Sequence, residues 1–141
     1  MKKEKGFTLI EILIVVAILG IIAAIAIPGL KKARQSARSA AAVQALRTMT
    51  TAQHLYRMKY KLYGTLAQLA PEGTLDPSLS SGSKHFYTFT LALGAGSNSF
   101  TCLATPEEEP TRMRHFFVDE TGVIRVNEGA PADVTSPPIP K

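Results

Sequence analysis

From Ile12 to Ile27 the chain reads Ile-Leu-Ile-Val-Val-Ala-Ile-Leu-Gly-Ile-Ile-Ala-Ala-Ile-Ala-Ile, with no polar side chain. The flanks lengthen this run, because between Phe7 and Leu30 only Thr8, Glu11, Gly20, Pro28 and Gly29 are not hydrophobic. A helix needs roughly 20 apolar residues to cross a bilayer. Residues 7–30 therefore have the length and composition of a transmembrane helix, preceded by the short basic leader Met1-Lys2-Lys3-Glu4-Lys5-Gly6. The whole chain has 141 residues, which leaves room for one small domain beside the helix and excludes an elaborate multidomain enzyme.

The charges are as unevenly spread as the apolar residues. Lys31, Lys32, Arg34, Arg38, Arg47, Arg57, Lys59 and Lys61 lie in a stretch with no acidic residue, whereas from Leu62 onward acidic residues outnumber basic ones. The formal net charge of +5 thus describes a basic middle joined to an acidic end, which is weak evidence for general nucleic-acid binding. Cys102 is the single cysteine, so neither an internal disulfide nor a cysteine-only metal site can form.

Three readings of the apolar segment compete: a cleavable signal peptide, a permanent anchor, or a helix that later leaves the lipid. Ala24-Ile25-Ala26 supplies an A-x-A cleavage site for the first. Against it stand the length of the run and Glu11. A carboxylate in a membrane-spanning helix costs about 2.5 to 3.5 kcal/mol on insertion scales and needs a partner. No basic residue lies between Phe7 and Leu30, so the cation must come from elsewhere, and a newly created N-terminal amine would serve. Gly20 and Pro28 are also poor choices in a helix interior; Pro28 cannot donate to the carbonyl of Ala24. A kink tolerated by neighbouring helices is the simpler account. The functional one is that the stretch from Gly20 to Pro28 bends or unwinds when the helix moves from lipid into another environment. The positive-inside count does not orient the span, since basic residues stand on both sides of it.

Lys5-Gly6-Phe7-Thr8-Leu9-Ile10-Glu11, followed by the apolar run with Pro28 near its end, resembles the N-terminus of type IV pilins and of the pseudopilins of type II secretion. The likeness is specific over residues 1 to about 30 and general beyond them. It implies that a prepilin peptidase cuts between Gly6 and Phe7 and methylates the new Phe7 amine, with the leader on the cytoplasmic side. It further implies that Glu11 sits opposite the N-terminal amine of a neighbouring copy in a filament. Single-pass storage in the inner membrane would precede assembly into a cell-surface or periplasmic filament by pilus or secretion machinery. The sequence departs from the family in two places: one cysteine cannot close the usual C-terminal disulfide, and Glu128, Gly129 and Asp133 are too sparse for the calcium loop of many pseudopilins.

After Leu30 the pattern is helical. Ala42, Leu46, Met49, Ala52, Tyr56 and Tyr60 form one apolar stripe, and neither Gly nor Pro occurs from Lys31 to Tyr60. Tyr63-Gly64 ends the helix. Residues 64–83 are rich in Gly, Pro and Ser and read as a long connection with one short turn of helix. Tyr87, Phe89, Leu91 and Leu93 alternate as a strand, followed by Phe100, Cys102 and Ala104. His115–Val118 and Val123–Val126 flank Asp119-Glu120-Thr121-Gly122 as a hairpin. The predicted fold class is α+β: one long helix, transmembrane and then amphipathic, packed on a C-terminal antiparallel sheet of about four strands. The segments are 1–6 leader, 7–30 span, 31–63 basic helix, 64–83 connection, 84–129 sheet, and 130–141 a Pro-rich tail that is extended and mobile.

No catalytic constellation is readable. His54, His85 and His115 stand about thirty residues apart without ligand spacing, so no metal or cofactor is expected. Glu107-Glu108-Glu109, between Pro106 and Pro110, reads as a solvated loop. Tyr56, Tyr60 and Tyr63 alternate with Arg57, Lys59 and Lys61, a pattern that can stack on single-stranded nucleic acid. They fall on one helical face, so core packing is the stronger reading and nucleic acid the weaker partner. The basic helix can face the acidic domain of another copy, although solvation is the simpler account because exposed ion pairs contribute about 0 to 1 kcal/mol. The expected function is a structural filament subunit. The alternatives are a type II secretion pseudopilin, a minor subunit with an adhesive or DNA-binding role, and a membrane-anchored or secreted binding domain that uses the leader only as a route across the membrane.

Overall fold

The computed structural model describes Met1 and residues 6–140; the leader residues Lys2, Lys3, Glu4 and Lys5 lie outside it, as does Lys141. Helix α1, Leu9–Tyr60, runs for 52 residues. The chain divides into two units, Met1–Ser36 and Ala37–Lys141. The first unit is the apolar part of α1, exposed on every side: Ile10, Leu13, Ile14, Ile18, Ile21, Ile25 and Leu30 all face outward. A helix that is hydrophobic all round requires an apolar medium or other helices.

The second unit is organised by the remaining half of α1. Ser39, Ala42, Ala45, Leu46, Met49, Ala52 and Gln53 are its buried residues. The predicted stripe is therefore buried from Ala42 to Ala52, half-buried at Tyr56 and exposed at Tyr60. The stripe fails at its end because α1 stops at Tyr60, before the expected Tyr63-Gly64. Lys61 takes a left-handed backbone (φ 64°), a conformation that cannot continue a helix. The chain then turns back, and Tyr63 enters the core, where its ring meets Phe100 edge-on at 4.9 Å.

A buried amide holds this turn. Gln53 Nε2 donates to the Gly64 carbonyl at 2.7 Å while the Gly64 N–H donates to Gln53 Oε1 at 2.9 Å. The backbone must approach α1 closely to do so; a Cβ at residue 64 would sit 3.0 Å from the Tyr56 ring, which only glycine avoids.

From Thr65 to Ser80 the chain is more helical than its composition predicts. It forms α2 (Leu66–Leu69), a single 3₁₀ turn at Ala70–Glu72, and α3 (Pro77–Ser80). Local caps explain the excess. Gln68 Oε1 accepts from the Thr65 N–H at 2.9 Å, and Asp76 Oδ1 accepts from the Leu79 N–H at 2.8 Å. Leu69, Leu75 and Leu79 are buried by these pieces.

The sheet is an antiparallel meander in chain order: β1 (Ser83–Lys84), β2 (Tyr87–Leu93), β3 (Phe100–Pro106), β4 (Arg114–Asp119) and β5 (Arg125–Glu128). It has five strands where about four are predicted; the addition is β1, two residues long within a Gly/Ser-rich stretch that carries no strand pattern. Pairing places Phe89, Ala104, Phe116 and Val126 in one cross-strand row and Leu91, Cys102 and Val118 in the next. Small Ala104 and Cys102 between larger neighbours allow these rows to lie against α1. Burial pushes the Cys102 thiol up to about 12. Tyr87 ties the layers together, its hydroxyl 2.8 Å from the Arg114 carbonyl and 3.3 Å from Ser39 Oγ.

Three turns complete the domain. After β4, Asp119 Oδ1 accepts from the Thr121 N–H at 3.0 Å, and Gly122 takes the predicted left-handed position (φ 74°). In the β1–β2 turn both central residues, His85 and Phe86, have positive φ (53° and 64°), the geometry that favours Asn-Gly. Two bulky residues there cost about 1 to 3 kcal/mol each. Third, the tail, expected to be extended and mobile, turns at Asp133–Ser136, where the Ser136 N–H donates to the Asp133 carbonyl at 3.1 Å, and is then strapped to the sheet. Val126 N–H donates to the Pro137 carbonyl at 2.9 Å, Ile139 N–H to the Ile124 carbonyl at 3.0 Å, and Ile139 packs on the core. Prolines at 137 and 138 suit an outer edge, where no further N–H is needed.

Two outcomes follow. In urea unfolding of the full chain in mild detergent, followed by tyrosine circular dichroism, Gln53→Ala is expected to cost about 2 to 4 kcal/mol by orphaning both Gly64 groups. Gln44→Ala, on the exposed face, should stay within about 0.5 kcal/mol. Iodoacetamide at pH 8 should leave Cys102 unmodified in the folded chain and alkylate it fully in 8 M urea (~8 M); rapid native labelling would contradict the buried, protonated thiol.

Candidate assembly site at the start of the apolar helix

Gly6, Phe7 and Thr8 precede the first turn of α1, so the Gly6–Phe7 peptide bond lies outside the helical hydrogen-bond ladder. Among the described residues nothing lies within 4 Å of where a Gly6 Cβ would be, and the Phe7 side chain is exposed.

Glu11 is not solitary within its own chain. Its Oε2 accepts from both the Thr8 N–H and the Thr8 hydroxyl, each at 2.7 Å, while the Glu11 N–H approaches Thr8 Oγ1 at 3.3 Å. This is a capping box, in which Thr8 is the residue before the helix and Glu11 the third within it. The sequence reasoning singled out Glu11 and passed over Thr8, although the Thr-x-x-Glu spacing ahead of an apolar run is itself the signal. The box fixes the carboxylate at the N-terminal end of α1, where helix dipoles favour negative charge. Both Thr8 donors are neutral. They occupy one oxygen and supply no positive charge, leaving the carboxylate with acceptor capacity for a cation.

Gly20 and Pro28 lie within the continuous span of α1, and a Cβ at Gly20 would meet nothing within 4 Å. The helix therefore passes through both residues in the isolated chain.

In the second unit, basic and acidic groups already meet within one chain. Arg38 Nη1 donates to Glu108 Oε2 at 2.5 Å, and its guanidinium stands 3.8 Å over the Phe86 ring. Lys59 Nζ pairs with Glu72 Oε2 at 2.9 Å, and the Tyr60 hydroxyl donates to Glu72 Oε1 at 2.9 Å. Glu72 is held below the usual carboxylate range, first by the Lys59 hydrogen bond and then by that of Tyr60. Glu107 accepts from Ser83 Oγ at 2.5 Å and from Thr88 Oγ1 at 3.2 Å. In the acidic run expected to be a solvated loop, Glu107 and Glu108 are exposed and Glu109 is half-buried, and Glu107 and Glu108 tie the run to the sheet and to α1.

The tyrosine–basic stretch divides as well. Tyr63 is core, Tyr56 stacks on Tyr60 at 4.4 Å, and the Arg57 guanidinium lies 4.9 Å from the Tyr63 ring while donating to its hydroxyl at 2.8 Å. The three histidines have separate surroundings: His54 meets Tyr63 edge-on, His85 occupies the β1–β2 turn, and buried His115 bonds the Pro110 carbonyl at 2.9 Å. Among the described residues no three His, Cys, Asp or Glu side chains converge as metal ligands.

No curated protein matches the chain. A family model does, that of the prokaryotic N-terminal methylation motif, over residues 1–27. The matched stretch contains Gly6, Phe7, the Thr8–Glu11 box and Gly20, and it lies within or just before a helix long and apolar enough to cross a membrane. The chain thus carries, at the end where an apolar helix begins with a capped carboxylate, the prokaryotic N-terminal methylation motif that is the hallmark of type IV pilins and pseudopilins.

Proposed function

We propose that the chain is the structural subunit of a type IV pilus-like filament. It is held in the inner membrane by residues 7–30, trimmed by prepilin peptidase between Gly6 and Phe7, methylated on the Phe7 amine, and polymerised through α1. In the alternative reading as a type II secretion pseudopilin the same steps operate within a different machine. Residues 31–63 then serve as the stem on which the 84–129 sheet is displayed, and no catalytic role is assigned.

The observation that carries this reading is the placement of Glu11. Its carboxylate is fixed by Thr8 at the N-terminal end of α1, beside the bond whose cleavage would create an amine. A carboxylate and an ammonium buried together among apolar helices attract strongly, whereas either one buried without the other costs several kcal/mol. Assembly of many copies brings each Glu11 to the amine of another. Gly20 and Pro28 have a supporting role in the same scheme, as the stretch where the helix yields when it exchanges lipid for protein neighbours.

Mass spectrometry of the mature protein tests the route. The expected first residue is Phe7 carrying one methyl group; a chain beginning at Ile27 indicates signal peptidase, and a retained Met1 indicates a plain anchor, and either would overturn the proposal. For assembly, Glu11→Leu should still be processed at Gly6 but yield no sheared filaments, because each buried amine loses a partner worth about 3 to 5 kcal/mol. Normal filament yield from that variant would remove Glu11 from the mechanism.

A further inference from the structure

A filament needs two different surfaces on each copy, since a contact between unlike patches repeats without closing. The second unit offers such a pair. At one end stands Phe86, 49% exposed although its turn is conformationally costly, with the Arg38 guanidinium 3.8 Å over its ring. The backbone would be relieved by Asn-Gly; His85-Phe86 instead holds an aromatic ring outward. Two glutamates lie near it: Glu107, whose N–H donates to the Phe86 carbonyl at 2.9 Å and whose carboxylate accepts from Ser83 and Thr88, and Glu108, which pairs with Arg38.

At the other end, Leu55 (48% exposed) and Met58 (73%) lie one turn apart on α1, continuing an exposed face that is polar at Gln44, Arg47 and Thr51. Arg57, Lys59 and Lys61 border Met58. Arg38 and Met58 are twenty residues apart on one helix, a separation of about 30 Å. Around the ring Glu107 and Glu108 outnumber Arg38, and around the apolar patch Arg57, Lys59 and Lys61 outnumber Glu72, the partner of Lys59, so the two ends differ in net sign.

We propose that the Phe86 turn of one copy docks on the Leu55–Met58 face of another, an acid-to-base, unlike-patch contact that accompanies packing of the apolar helices. This inference rests on the filament reading above and specifies which surfaces of the sheet domain meet. Its partner is a second copy of this chain.

The test uses full-length chains in the cells that express the unmodified protein. With Cys102→Ala as background and Phe86, Leu55 and Met58 retained, His85→Cys together with Thr51→Cys, both exposed positions beside the contact, is expected, on mild oxidation of sheared filaments, to give a ladder of dimers, trimers and longer species on non-reducing gels. Either cysteine without the other should give no ladder. Filaments that assemble but give no ladder sink the contact while leaving the filament reading standing; an unmodified chain that never forms filaments sinks both. A second variant separates docking from folding. His85→Asn with Phe86→Gly should raise the melting temperature of the detergent-solubilised monomer, because the turn is relieved, and lower filament yield at least tenfold (~10-fold). Undiminished yield from that stabilised chain would overturn the proposal.

Discussion

The apolar half of α1 has nothing in its own unit to bury against, and every other feature of the chain can be placed relative to that constraint. Its side chains point outward on all sides from Phe7 to Leu30. Such a helix is stable only in lipid or among other helices, so the rest of the chain must fold without it. The second unit does so with its own core, in which the Ala42–Ala52 stripe lies on the sheet. The two halves of one helix thus obey different rules: hydrophobic on every side where the medium must be apolar, amphipathic where water lies on one side.

Within the sheet domain, a few polar groups decide where the chain turns. The left-handed Lys61 ends α1, and the Gln53 amide and the Gly64 peptide satisfy each other in both directions, so the chain turns back at a defined place. The tail performs a similar service at the far edge, where its bonds to Ile124 and Val126 cover backbone groups that an exposed strand would leave open to pairing. At the opposite edge the two-residue β1 pairs with Tyr87 and Thr88 of β2, and the Phe89 N–H donates to the Gly82 carbonyl at 2.7 Å.

Much of this was legible beforehand, and the physical reason differs from case to case. Long-period patterns read well: the apolar run, the Ala42–Ala52 stripe and the alternation of Tyr87, Phe89, Phe100, Cys102 and Ala104 each repeat the geometry of their element. Features set by a single local bond did not. Gln68 and Asp76 cap short helices in a segment whose composition says loop, and a left-handed Lys61 is invisible to propensity. The strapped tail depended on a distant strand to receive it. In the candidate site, Glu11 stood out because a charge in an apolar run is costly, whereas Thr8 was overlooked because a hydroxyl there is not. Only the capping geometry shows that they act as a pair.

The balance of forces also explains why so few polar residues matter in the apolar helix. Moving such side chains from water into lipid is worth about 1.5 to 3 kcal/mol each for the large aliphatics, but that gain is complete once the helix is in the bilayer. Moving them from lipid into a bundle of like helices adds almost nothing hydrophobic, so association must be decided by close packing and by polar groups. Thr8 gives the Glu11 carboxylate enough hydrogen bonding to ease its stay in lipid without neutralising it. The unspent part of its interaction energy is electrostatic and is realised only opposite a cation. On the filament reading proposed above, the preference of such a helix for its own copies over lipid is set at residues 8 and 11 rather than by the hydrophobic run that dominates the sequence.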